Sequence, residues 1–111
     1  MAKGDVLGEF EQLVLMALIV LGENAYGAAV RRLLRDQADR DVAAGAVYTT
    51  LQRLEDKGFV SSRPGKPTAA RGGRAKRLFR IAPPGRWTLY QSLKTIEQMR
   101  EALPLGWAMG E

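Results

Sequence analysis

Residues 44–63 have the sequence AGAVYTTLQRLEDKGFVSSR, in which the spacing of apolar residues changes from that of a helix to that of a strand. Val47, Leu51 and Leu54 recur at i, i+4 and i+7, which predicts a helix with one buried face. Gly58 supplies a helix stop, because glycine readily adopts the left-handed conformation found at helix ends. The residues that follow are β-compatible. We therefore expect a helix that leads directly into a β-strand.

A second β-compatible segment lies at residues 76–81. The two strands are separated by residues 64–74, which contain two prolines, three glycines and three basic residues. Proline and glycine at this density oppose regular structure. The sequence therefore predicts a β-hairpin with a long, irregular, basic tip.

Two helices are expected before this unit, at about residues 8–21 and 26–39. The first is apolar on every side, so we expect it to be buried on two sides, one of them against a partner subunit. Gly22 ends it, and Asn24 is a candidate N-cap for the second helix. In that second helix we expect a solvated, ion-paired face, in which Arg32 pairs with Asp36 and Arg35 with Asp39.

A last helix is expected from the two prolines at positions 83 and 84 to about Leu103, since proline is tolerated in a first turn. Its apolar stripe is separated in sequence from the earlier core, and packing against a second copy is the simplest interpretation. The residues expected at a dimer interface are Phe10, Leu13, Leu89, Leu93, Ile96, Met99 and Leu103.

The composition excludes several classes of function. The 111 residues correspond to one domain, with little room for a separate catalytic domain, and they include no cysteine and no histidine. Disulfides, thiolate nucleophiles and the usual transition-metal ligands are therefore excluded, and we expect neither an enzyme, a cofactor nor a metal site. The longest apolar run has nine residues, against the roughly 20 that cross a bilayer, so we expect a soluble cytoplasmic protein.

Charge is distributed unevenly along the chain. The net charge is +5, and residues 57–94 hold ten Lys or Arg but no Asp or Glu. Such a segment is either an ordinary solvated surface or a polyanion-binding face.

Three helices, a basic hairpin and a further helix, in that order, are typical of a winged helix-turn-helix. The third helix fits a major groove, and the hairpin, or wing, brings cations to the flanking backbone. The expected fold class is mainly α with a small β-hairpin (α+β). The expected division is a DNA-binding domain at residues 1–82 and a dimerisation helix and tail at residues 83–111.

The sequence also resembles a known family. The matching segments are LGEFE at 7–11, AYG at 25–27, GAVYTTL at 45–51 with RLE at 53–55 and Gly58, and RGGR at 71–74 with Lys76 and Arg77. These are similar to the PadR-family regulators, and to their short form with a single C-terminal helix. The resemblance implies a homodimeric transcriptional regulator, usually a repressor, that binds a pseudo-palindromic operator.

Candidate DNA contacts lie on the third helix and the wing. Hydroxyl, amide and guanidinium groups on the helix can contact phosphates or base edges, although an ordinary wet helix face would look similar. For Tyr48, the alternative is packing under the wing. The candidates are Tyr48, Thr49, Thr50, Gln52 and Arg53 on the helix, and Arg71, Arg74, Lys76 and Arg77 on the wing.

Two tryptophans raise the question of an effector. Some short PadR proteins bind flat aromatic compounds at the dimer centre, and Trp87 and Trp107 are candidates for such a site. Packing at a dimer interface is the simpler interpretation of both. Two other functions remain open, a non-specific basic architectural protein that binds nucleic acid and a sensor of hydrophobic ligands.

Overall fold

The computed structural model describes residues 6–67 and 75–110. It is mainly α with one two-stranded antiparallel sheet, which confirms the expected fold class. The elements are α1 (Glu9–Leu21), α2 (Gly27–Ala38), α3 (Ala44–Asp56), β1 (Val60–Pro67), β2 (Ala75–Ile81) and α4 (Pro83–Ala102), with short 3-10 turns at Gly22–Asn24 and Trp107–Met109.

The core lies where the helices meet the base of the hairpin. Every helix and both strands contribute to it, and the apolar stripes predicted for α1, α2 and α3 face inward. The side chains with the least exposure are Leu15, Leu51, Leu54, Val14, Val30 and Val47. Helix α3 is thus held from behind, which leaves its opposite face to solvent.

Glycine ends α1 and α3 as predicted. Gly22 has φ 62° and Gly58 has φ 81°, both in the region that disfavours other residues. After α3, the Phe59 N–H donates to the Leu54 carbonyl oxygen and the Gly58 N–H to that of Glu55, each at 2.9 Å. These two bonds form a Schellman motif, which turns the chain from α3 into β1.

The prediction that Asn24 caps α2 is wrong. Asn24 lies in the 3-10 turn, and the residue at the N-cap of α2 is Tyr26. The reason is that Tyr26 is extended and forms an isolated antiparallel bridge with Leu78. Beside it, the Phe79 N–H donates to the Ala25 carbonyl oxygen at 2.8 Å. These contacts attach the outer edge of β2 to the start of α2.

The hairpin is more regular than its prolines and glycines suggest. Strand β1 continues through Pro64 to Pro67, with a register shift between these two residues. Proline is compatible with an edge strand or a bulge, because its missing N–H is not needed there. Residues 68–74, which contain the rest of the expected tip, lie outside the described residues.

Helix α4 starts against the core and then leaves it. Gly85 is buried where a Cβ atom would lie 2.2 Å from the Phe59 carbonyl oxygen. Leu89 is 4% exposed and belongs to the chain's own core, which corrects its assignment to a dimer interface. Beyond it the helix projects outward, and the radius of gyration is 16.3 Å. A compact chain of this length would have about 13 Å.

No helix among the described residues has both the length and the hydropathy needed to span a membrane.

Candidate nucleic-acid interface

The outer face of α3 carries four of the predicted contact residues. Tyr48, Thr49, Gln52 and Arg53 are all exposed, and with Asp56 they line a shallow depression. The Gln52 Nε2 donates to Asp56 Oδ1 at 3.1 Å, which holds the amide along the helix. This face therefore offers hydroxyl, amide and guanidinium groups side by side on one rigid helix.

Thr50 does not belong to this face. It is 5% exposed, so the prediction that its side chain reaches DNA is corrected. On a helix, position 50 lies three residues after Val47 and four before Leu54, and it shares their buried side.

Tyr48 lies across the start of α2. A Cβ atom at Gly27 would be 2.4 Å from Tyr48 Cζ and 2.6 Å from its hydroxyl oxygen. The Tyr48 side chain is nevertheless 47% exposed. The ring is therefore supported by the backbone of Gly27 on one side and open to solvent on the other.

A chain of hydrogen bonds connects the wing, formed by β1 and β2, to α3. The Arg77 Nε donates to Ser62 Oγ at 3.0 Å, and Ser62 Oγ donates to Glu55 Oε2 at 2.7 Å. Arg77 is exposed and remains accessible to a polyanion. The wing and the last turn of α3 are thus fixed relative to each other.

Lys76 and two basic residues of α2 take positions that the sequence did not predict. The Lys76 Nζ lies 3.9 Å from the centroid of the Tyr26 ring. Arg32 donates from Nη2 to the Tyr26 hydroxyl oxygen at 3.1 Å, and Arg35 Nε lies 3.5 Å from Asp36 Oδ1.

Neither of the predicted pairs, Arg32–Asp36 and Arg35–Asp39, occurs among the ion pairs of the described residues. For the second pair the reason is that Asp39 lies beyond the helix, with φ 55°. The other two predicted wing contacts, Arg71 and Arg74, lie outside the described residues.

A second, apolar surface lies on α4. Leu93, Ile96, Met99 and Leu103 recur at helical spacing and are all exposed, with Ile96 at 58% and Met99 at 65%. On α1, Phe10 and Leu13 are partly buried against the chain's own core, whereas Ile19 and Val20 are exposed. The large apolar surface of α4 is therefore uncovered in the single chain.

The two tryptophans lie at opposite ends of α4 and are both exposed. Trp87 stacks on Tyr90, with ring centroids 6.2 Å apart and an interplanar angle of 27°. A groove of about 640 Å³ lies between the end of α1, the hairpin and Arg86. Neither tryptophan lines this groove. Trp87 lies near the start of α4 and Trp107 lies in the 3-10 turn after its end, so the length of the helix separates the two indoles.

Comparison with known protein families identifies one that matches most of this chain. Residues 15–91 match the model described as the transcriptional regulator PadR-like family, which is more than half of the chain. No curated protein sequence matches the chain.

Solved structures share the fold. One is a PadR family transcription regulator from hypervirulent Clostridium difficile R20291, with 20% identity, a TM-score of 0.72 and coverage of 86% of this chain and 94% of that one. A transcriptional regulator from Clostridium thermocellum has 23% identity, a TM-score of 0.67 and coverage of 83% and 86%. Bacillus subtilis PadR in complex with operator DNA has 19% identity, a TM-score of 0.66 and coverage of 76% and 46%.

Proposed function

This chain belongs to the PadR-like family of transcriptional regulators, and we propose that it binds a pseudo-palindromic operator as a homodimer and acts as a repressor. The observation that carries the proposal is the exposed face of α3, where Tyr48, Thr49, Gln52 and Arg53 lie together. A major groove admits one α-helix, and Gln and Arg are suited to bidentate contacts with base edges. A protein of this fold, Bacillus subtilis PadR, is known in complex with operator DNA.

In the proposed complex, α3 contacts bases and the wing contacts the flanking backbone. Arg77 is exposed on the wing and held by Ser62, so its charge is available to a phosphate. Arg71, Arg74 and Lys76 extend this role along the wing sequence. Phosphate contacts fix the register of a protein on the duplex, whereas base contacts determine sequence preference.

Dimerisation is proposed through α4, with residues 83–111 as the dimerisation segment and residues 1–82 as the DNA-binding domain. Its support is the exposed stripe Leu93, Ile96, Met99 and Leu103. Contiguous apolar surface of this kind marks an interaction site, and a homodimer interface buries the same surface on both subunits. Two-fold symmetry then requires two half-sites about one helical turn, roughly 10 base pairs, apart.

We further propose that a flat aromatic effector releases the DNA. The support is the exposed aromatic surface of Trp87 and Tyr90, which suits stacking. Trp107, in the 3-10 turn that follows α4, is the second candidate. Because the proposed target is chromosomal DNA, the cytoplasm is the proposed location.

The test is selection of bound duplexes from fragmented genomic DNA, followed by competition at physiological salt. We expect recovery of a dyad-symmetric sequence that outcompetes random duplex by at least about a thousandfold. Equal competition by random duplex would contradict operator recognition and would favour the architectural protein. Titration of tryptophan fluorescence with planar cationic and phenolic compounds tests the effector separately, and unchanged fluorescence would contradict it.

A further inference from the structure

Tyr26 is contacted by two cations from different elements. Arg32, on the second turn of α2, donates to its hydroxyl oxygen at 3.1 Å. Lys76, on β2, places Nζ 3.9 Å from the ring centroid. The three side chains therefore form a cluster, here called the Tyr26 cluster, that joins α2 to the wing.

The cluster carries two positive charges, and no acid is paired with either of them in the described part of the chain. Neither Arg32 nor Lys76 takes part in an ion pair among the described residues. Arg32 has Asp36 one turn further along α2, yet it contacts the neutral phenol instead. Two like charges at one ring repel each other, and the repulsion is relieved when an anion binds between them.

The hydroxyl of Tyr26 is suited to complete such a site. Its oxygen accepts from Arg32, and its hydrogen has no acceptor among the hydrogen bonds of the described residues. The hydrogen bond from Arg32, followed by the effect of Lys76, lowers the pKa of Tyr26 below its ordinary value of 10.0 despite an opposing effect of burial. This direction reflects the positive potential that Arg32 and Lys76 produce at the phenol oxygen, which strengthens the hydroxyl as a donor to an anion.

The position of the cluster indicates which anion it meets. Tyr26 precedes Gly27, against which the Tyr48 ring of α3 lies, and its own backbone bridges Leu78 of the wing. The cluster thus lies between the two elements proposed to contact DNA. A duplex that met both elements would carry its backbone past this point.

We propose that Tyr26, Arg32 and Lys76 form a binding site for one backbone phosphate of the duplex, between α2 and the wing. This inference rests on the proposed function and adds Tyr26 and Arg32, neither of which the sequence analysis assigned to DNA. Arg32 and Lys76 supply charge, and Tyr26 supplies a hydrogen-bond donor. Such contacts are independent of sequence and fix the register of the protein on DNA.

The test is the dependence of log K on log[salt] for operator and random duplexes. Arg32→Ala is expected to reduce the slope by about 0.9, because one fewer counterion is released, and Arg32→Lys is expected to retain the slope. Tyr26→Phe keeps the ring beneath Lys76, and we expect about fivefold weaker binding to every sequence with an unchanged slope. Arg35→Ala is the matched control, since it removes the same charge from α2 at a residue paired with Asp36.

The outcomes separate the inference from the proposed function. If the unaltered protein binds its operator and Arg32→Ala has the same slope of log K against log[salt], the phosphate site alone is overturned. Equal slope losses in Arg32→Ala and Arg35→Ala would also overturn it, because they would indicate a general effect of charge. An unaltered protein that binds no duplex at low salt would overturn both.

Discussion

At two glycines, the absence of a side chain decides how neighbouring elements meet. At Gly85 the neighbour is backbone, since a Cβ would lie 2.2 Å from the Phe59 carbonyl oxygen. At Gly27 the neighbour is the end of a half-exposed side chain, the Tyr48 ring at 2.4 Å. Backbone in a packed core cannot retreat, whereas an exposed ring can turn into solvent. The same substitution should therefore have different consequences at the two sites.

Gly27→Ala is expected to weaken DNA binding while leaving stability within about 1 kcal/mol of the unaltered protein. The new methyl group displaces the Tyr48 ring, and loss of a hydrogen bond from its hydroxyl to a phosphate reduces affinity about tenfold. Gly85→Ala is the comparison, with a loss of about 2 kcal/mol from overpacking and a melting temperature lower by roughly 10 °C.

Thermal unfolding followed by circular dichroism and DNA binding followed by fluorescence anisotropy measure these two effects. Unaltered DNA affinity of Gly27→Ala would show that Tyr48 contributes nothing to binding in its present position. If Gly85→Ala has the same melting temperature as the unaltered protein, α4 can shift away from Phe59 at little cost.

At the scale of elements, hydrophobic periodicity predicted the four α-helices, and β-compatible composition on either side of a proline- and glycine-rich segment predicted the two strands. Periodicity identifies a face but does not identify what covers it. Leu89 and Ile96 belong to one sequence stripe, yet Leu89 enters the chain's own core and Ile96 is 58% exposed. The difference arises because α4 packs against the core at Gly85 and Leu89 and then projects away from it.

Thr50 was misjudged for a similar reason, because its hydroxyl suggests solvent or DNA when tertiary contacts are unknown. The position of Tyr26 at the N-cap of α2 was not predicted either. Thr50 lies on the buried side of α3. The position of Tyr26 is fixed by a β-bridge to Leu78, which is 52 positions further along the chain. Long-range pairing of this kind leaves no local pattern in the sequence.

Helix α3 is expected to determine sequence preference. Replacing Arg53 with Ala removes an exposed guanidinium from its outer face and should change discrimination at one base position by about 1–3 kcal/mol. Selection of bound duplexes with the variant and the unaltered protein measures the change. Arg35→Ala, which removes the same charge from α2, is the control and should retain the original preference. If Arg53→Ala weakened all duplexes by one factor, Arg53 would instead be a phosphate contact.

At the scale of the whole molecule, the chain is extended and leaves apolar surface exposed. Its dimensions are 57 × 33 × 20 Å, and the outer part of α4 exposes Leu93, Ile96, Met99 and Leu103. The part of α4 that follows Leu89, residues 90–102, is short enough to be marginally stable on its own, because a helix in a protein gains most of its stability from packing of an apolar face. A second copy that packs on this stripe would bury it.

Ile96→Asp is therefore expected to convert a dimer into a monomer. The substitution places a carboxylate in the middle of the apolar stripe, and burying an unpaired charge costs several kcal/mol. Because Ile96 lies outside the chain's own core, the winged-helix part should remain folded, with its far-ultraviolet circular dichroism retained. Light scattering should give a mass near 24.4 kDa, twice 12.2 kDa, for the unaltered protein and near 12.2 kDa for the variant.

The control is Gln98→Asp, which adds a carboxylate two residues away, about 200° around the helix from Ile96. It should remain dimeric, so that a charge on α4 is distinguished from a charge in the stripe.

DNA binding supplies the second measurement. A monomer holds one α3 and one wing, so Ile96→Asp should bind a full dyad no more tightly than a single half-site, whereas Gln98→Asp should retain the preference for the dyad. If Ile96→Asp stays dimeric and still distinguishes the two duplexes, the dimer interface does not lie on α4. The exposed α1 surface around Ile19 and Val20 would then be the next site for substitution.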